Sequence, residues 1–187
     1  QLRIVKDKDM QETYEELSLF LHVLEEDGLE DIQSIYIISD KTALYWQLTP
    51  DTWSEISRDS TTWIGSSNLA ASDYSAIPRG EYRIVVTDKG GRRDSSKLAV
   101  STAQINTEAL NFPNGEFEES LFKIESPKTN HTFLFFDDEN NPLARHQIQG
   151  KEVPLNQLSS LSNSRNGSFY FYIHIDNATP QVSLING

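Results

Sequence analysis

Gly80-Glu-Tyr-Arg-Ile-Val-Val-Thr-Asp-Lys-Gly-Gly-Arg-Arg-Asp-Ser-Ser-Lys-Leu-Ala-Val100 is the stretch whose reading decides the fold class. Tyr82, Ile84 and Val86 alternate with Arg83, Val85 and Thr87 as far as Asp88-Lys-Gly-Gly91, and Leu98 and Val100 resume the alternation after Ser95 and Ser96. Successive side chains of a strand point to opposite faces, so a period of two on both sides of a glycine-bearing turn predicts a two-faced β-hairpin.

The same signal extends outward in both directions. β-Branched and aromatic residues predict strands at Leu2–Val5, Leu17–Leu24, Ser34–Ile38, Ala43–Leu48 and Thr61–Ile64, the last closed by Gly65. Met10, Tyr14, Leu17, Leu21 and Leu24 also recur at helical spacing, which leaves a short helical turn over Gln11–Glu16 open. Turns are expected at Glu26–Asp31, at Ser39–Lys41 and at Thr49–Trp53, where Pro50 removes a ladder donor, with a loop or short helix as far as Ser60. After a polar, aperiodic segment the pattern returns at Leu121–Glu125, His131–Phe136, Ala144–Ile148, Ser168–Ile175 and Gln181–Ile185. Turns fall at Asp137–Pro142 and Asn166–Gly167, and Leu155–Ser164 reads as a short helix or a loop. A chain of 187 residues is long enough for two small domains. The expected division is an all-β first domain over residues 1–103 and a second small β-rich domain over 104–187.

Composition limits the partners. The 28 acids outnumber the 16 bases, and the formal charge of -12 argues against a nucleic-acid binder, which needs cations to displace counterions from phosphate. No apolar run approaches the roughly 20 residues that span a bilayer. Cysteine is absent, which fits bacterial export and removes both disulfides and thiolate metal sites. The chain starts at Gln1, and a removed signal peptide or lipoprotein leader is the expectation. An extracytoplasmic setting follows, periplasmic or at the surface, with membrane attachment only through a lipid anchor outside this chain. Charge is also unevenly placed. From Asp9 to Asp31 there are acids and no Lys or Arg, whereas Arg79–Lys97 carries six cations against three acids.

Trp46 in an early strand, and Gly80-Glu-Tyr82 opening a late strand that ends at Asp88-Lys-Gly-Gly91, carry a family likeness. Over about the first hundred residues the chain resembles the immunoglobulin-like and fibronectin type III-like β-sandwich superfamily. The resemblance implies a tryptophan in the core and a tyrosine hydroxyl, here that of Tyr82, tying a corner. It also implies that the acidic loop Glu25–Asp31 and the basic loop Lys89–Arg93 sit at the same end of the sandwich. Such scaffolds host many functions, so function has to be argued from particular residues.

Candidate chemistry is sparse. Glu26, Asp27 and Asp31 gather hard oxygen ligands around a glycine, as a calcium loop requires, though not at helix-loop-helix spacing. Lys89, Arg92 and Arg93 would supply the countercharge instead, and the reading favours a charge-paired loop end over a metal. Trp53, in the turn after Pro50, is the candidate for an exposed aromatic contact, of the kind a carbohydrate- or small-molecule-binding module would use. His174 and Asp176 share one side of a strand, but no nucleophile elbow or zinc spacing accompanies the four histidines. No cofactor and no catalysis are expected. The favoured reading is a non-catalytic adhesion, assembly or scaffold component acting through protein contacts.

Overall fold

The computed structural model describes residues 1–7, 10–100, 106–126, 129–136, 142–159, 168–173 and 181–186. Their regular secondary structure is almost all strand. In the first half these are β1 (Leu2–Asp7), β2 (Glu12–Leu21), β3 (Ile32–Ser39), β4 (Leu44–Leu48), β5 (Ser54–Arg58), β6 (Thr61–Leu69), β7 (Gly80–Asp88) and β8 (Arg93–Val100). In the second half they are β9 (Asn114–Phe117), β10 (Leu121–Glu125), β11 (Asn130–Phe136), β12 (Pro142–Gln149), β13 (Glu152–Pro154), β14 (Ser168–Ile173) and β15 (Gln181–Asn186). Among the described residues the one α-helix is the five-residue Leu155–Ser159, and Leu29–Asp31 and Thr107–Ala109 are single 3-10 turns.

The chain divides into two units. The first holds Gln1 and Glu16–Ile105, and the second holds Leu2–Glu15 and Asn106–Gly187. After Glu15 the unit changes again between Ile105 and Asn106. Leu2–Glu15 belongs to the second unit, where β1 runs parallel to β15, with Ile4 opposite Gln181 and Asp7 opposite Leu184. Ile4 and Val5 are completely buried there, so the opening strand is part of the second unit's core.

In the first unit the end of β2 pairs with β6 and β6 with β5, while a second sheet has the order β4-β3-β7-β8. This is the immunoglobulin-like arrangement, in which the sixth strand of the sandwich lies between the third and the seventh. The opening hairpin forms as the alternation predicts, with Val86 opposite Asp94 and Ile84 opposite Ser96. Its turn closes through the Asp88 N–H donating to the Arg92 carbonyl at 3.1 Å. Gly91 sits there at φ +83°, a conformation that a side chain would strain. Tyr82 Oη donates to the Pro78 carbonyl at 2.8 Å, which is the tyrosine corner. Trp46 stacks on Tyr82 with ring centroids 6.0 Å apart, and its indole N–H reaches the Ala70 carbonyl at 2.7 Å, tying β4 to the residue after β6.

Three local expectations are corrected. Gln11–Glu16 is not a helical turn: β2 begins at Glu12, and Tyr14 through Leu17 are all buried, so strand pairing overrides a weak helical preference. The polar segment before Ser60 forms β5, paired with β6 from Ser54–Gly65 to Arg58–Thr61. Gly65 does not end its strand but lies at its centre, where a Cβ would overlap the Leu19 carbonyl oxygen of β2; glycine here permits a close backbone approach.

In the second unit, β13-β10-β9 form one sheet and β12-β11-β14-β15-β1 are consecutive neighbours in another. Phe122 of β10 meets Phe133 of β11 edge-on at 5.6 Å, and both rings are buried. Trp-free and small, this core relies on such aromatic and β-branched contacts. Of the expected turn Asp137–Pro142 only Pro142 is described, and it begins β12; the expected turn Asn166–Gly167 and the pair His174 and Asp176 lie outside the described residues.

Candidate functional site

Cross-strand rows on the inward face of the β4-β3-β7-β8 sheet can be read from the register. One row runs Trp46, Ile37, Ile84, Ser96, and the next runs Leu48, Ile35, Val86, Asp94. Both rows are apolar until β8, where the core-facing positions become Ser96 and Asp94, and both of these residues are exposed. The sandwich is therefore not closed along this strand. A cleft of about 620 Å³ opens instead, floored by Ile84 and Val86 of β7 and bounded by Asp94 and Ser96 on one side and Leu21–Glu25 on the other. That volume is within the range of roughly 300–1,000 Å³ typical of ligand sites. Leu24, on the rim, is 85% exposed, so an apolar side chain faces solvent beside an apolar floor.

β8 also ends its sheet among the described residues. In an antiparallel ladder, bonded and non-bonded pairs alternate. The Asp88–Arg92 bond fixes the phase, so Asp94, Ser96 and Leu98 bond to β7, while Arg93, Ser95, Lys97 and Ala99 direct their N–H and C=O groups to the open edge. One of these edge donors is covered locally: the Ser95 N–H donates to Asp94 Oδ1 at 2.8 Å.

The two charged loops meet at one end of this cleft. The Lys89 N–H donates to the Asp31 carbonyl at 2.8 Å. Arg92 Nε lies 2.8 Å from Asp88 Oδ2, its amide donates to Asp88 Oδ1 at 2.7 Å, and Arg92 Nη2 reaches Glu25 Oε1 at 3.5 Å. Burial by itself pushes the Asp88 carboxyl up, but the hydrogen bonds and charge of Arg92 outweigh it and hold the group below the ordinary carboxylate value. The same bonds, with the Asp88 and Glu25 charges, raise Arg92. The Arg92 side chain stays largely exposed while the Asp88 carboxylate is buried beneath it, so the effect of the pair is to fix the loop's direction.

The residues singled out in the sequence are only partly brought together. Arg92 lines the cleft and Arg93 borders it from a register position on the outward face of β8, and Arg93 forms no ion pair among the described residues. Lys89 contributes its backbone, and its exposed side chain is not part of the lining. Glu25, rather than Glu26, joins Asp27 and Asp31 in a carboxylate cluster whose oxygens lie within 4.8 Å of one another. Arg92 already contacts one member of that cluster, which is how adjacent carboxylates are neutralised without an ion. Trp53 is half-buried in its turn, with its backbone N–H donating to the Thr49 carbonyl at 3.0 Å, and it is not part of the cleft's lining. Asp94, Ser96 and Leu24 were not singled out, although the polar pair at alternate positions of a core-facing strand was a visible signal.

No family model matches the chain, and no curated protein does. Among solved structures it is similar to the crystal structure of Dpr11 IG1 bound to DIP-gamma IG+IG2, at 11% identity and a TM-score of 0.27, with 98% of this chain and 94% of that one covered. The immunoglobulin-like character of the first unit rests on its own strand order and tyrosine corner.

Proposed function

We propose that this chain is a non-catalytic module that works through protein–protein contacts in an exported or cell-surface setting, with the cleft beside β8 as its contact surface. The observation that carries the reading is the unclosed inward face of β8, where Asp94 and Ser96 stand exposed beside an Ile84–Val86 floor. Apolar surface rimmed by polar groups is the usual form of an interaction site. The charge-paired loops set the direction of the rim, and orientation is what such pairs contribute to recognition.

A photo-crosslinking amino acid at Leu24, in cells that make the protein, tests this. A discrete adduct from position 24 but not from the exposed Tyr74 is the expected result. No adduct, or equal adducts from both positions, removes the reading. Fractionation of the same cells tests the exported setting, and recovery in the cytoplasmic fraction alone would remove it.

A further inference from the structure

We propose that the open edge of β8 takes up an extended segment of a protein partner as an added strand, whose alternate apolar side chains enter the cleft and whose intervening carboxylates meet Arg93. The proposal deepens the protein-contact reading and rests on it. Three observations converge on β8. It is an edge strand among the described residues. Four of its residues, Arg93, Ser95, Lys97 and Ala99, turn both backbone polar groups outward, as the ladder phase requires. The inward rows beside it stop at Ser96 and Asp94 while their floor remains apolar. A strand laid along this edge satisfies the backbone groups by main-chain hydrogen bonds and draws specificity from alternate side chains.

Charge selects the occupant. On the outward face of β8 the exposed residues are Arg93, Ser95, Lys97 and Ala99, and Lys97 Nζ is held by Glu81 at 2.8 Å. Arg93 therefore offers the cation without an ion-pair partner among the described residues, and residues directly opposite across a ladder interact best with opposite charge. A second copy of this chain fits poorly. Two-fold antiparallel pairing keeps like faces together, so a register centred on Ser95 sets Arg93 against Lys97, and one centred on Ser96 sets Asp94 against Leu98. Edge charges that oppose self-pairing are a common protection of exposed strands. The Asp94 carboxylate adds to it by occupying the Ser95 N–H, and the incoming strand displaces that local bond.

The probes are acetylated, amidated peptides of alternating valine and glutamate and of alternating valine and lysine, each added to the isotope-labelled full chain. Saturation with the glutamate peptide is expected to slow amide exchange at Arg93, Ser95, Lys97 and Ala99 by about tenfold or more. The lysine peptide is expected to bind about tenfold more weakly, and Arg93→Glu to reverse that order. Ser95→Pro removes an edge N–H while leaving the β7 ladder intact, and should weaken both peptides; Arg93→Glu keeps the test valid if the proline variant does not fold. Absence of protection at those four amides overturns the proposal, as does equal affinity for the two peptides. A concentration-dependent dimer that protects the same amides without peptide also overturns it, by making the second copy the occupant. Adducts from Leu24 without β8 protection would remove the added strand and leave the protein-contact reading standing.

Discussion

Tyr82 joins two kinds of contact in one side chain. Its ring is 1% exposed and stacks on Trp46, and its hydroxyl donates to the Pro78 carbonyl. Tyr82→Phe keeps the ring and removes the bond, so the expected loss is about 1 kcal/mol, with a lower urea midpoint and an unchanged denaturant slope. Asp88 is the other residue whose surroundings define a test. Its folded carboxyl is held below the ordinary value by Arg92, against the upward push of burial. A depressed folded pKa stabilises above the unfolded value of about 3.9, and that contribution is lost as pH falls through the folded value. A carbon-detected titration of the Asp88 carboxyl should therefore show a midpoint below about 3.9. Arg92→Ala should move it upward; an unmoved midpoint would show that the guanidinium is not the cause.

Among the elements, β1 has the consequence least visible in the sequence. Leu2–Val5 reads as a strand from its residues alone, but its partner β15 is more than 170 positions away, and no local pattern encodes that pairing. Ile4→Ala is expected to cost about 2–5 kcal/mol through the cavity it leaves. Faster amide exchange in β15 at Gln181–Leu184 would locate the loss in the second unit, whereas a change confined to β7 and β8 would contradict the parallel pairing. The hairpin, β3, β4, β10 and β11 were legible because each alternates or is bounded by turn residues. β5 was not, since Ser54–Arg58 has only Ile56 as an apolar marker, and its pairing with β6 supplies what composition lacks. Gly65 misled for the opposite reason: read locally, glycine marks a break, but its missing Cβ serves the neighbouring strand. The candidate site was half legible. Charge counting found Arg92 and Arg93, and the resemblance to the immunoglobulin-like sandwich implied that the two loops share an end, whereas the cleft depends on which β8 side chains face inward beside β7.

Across the whole molecule, the formal charge of -12 acts against the acidic strand that the β8 edge is proposed to accept. The two effects differ in range. At 0.01 M salt the screening length is about 30 Å, so an approaching carboxylate-rich peptide experiences the charge of the entire chain and is repelled. At 0.15 M it is about 8 Å, and close to the edge the field of Arg93 and the neighbouring cations dominates. Near 1 M it is about 3 Å, and the local attraction is screened as well. The association rate of the valine–glutamate peptide should therefore rise from 0.01 to 0.15 M salt and fall again towards 1 M, while the lysine peptide shows only a fall. Stopped-flow measurement with a dye-labelled peptide distinguishes the cases. A steady fall for the glutamate peptide would mean that the local cations outweigh the chain's charge at every distance. A rate indifferent to salt would mean that Arg93 has no part in the encounter, and the charge selection argued for β8 would fail with it.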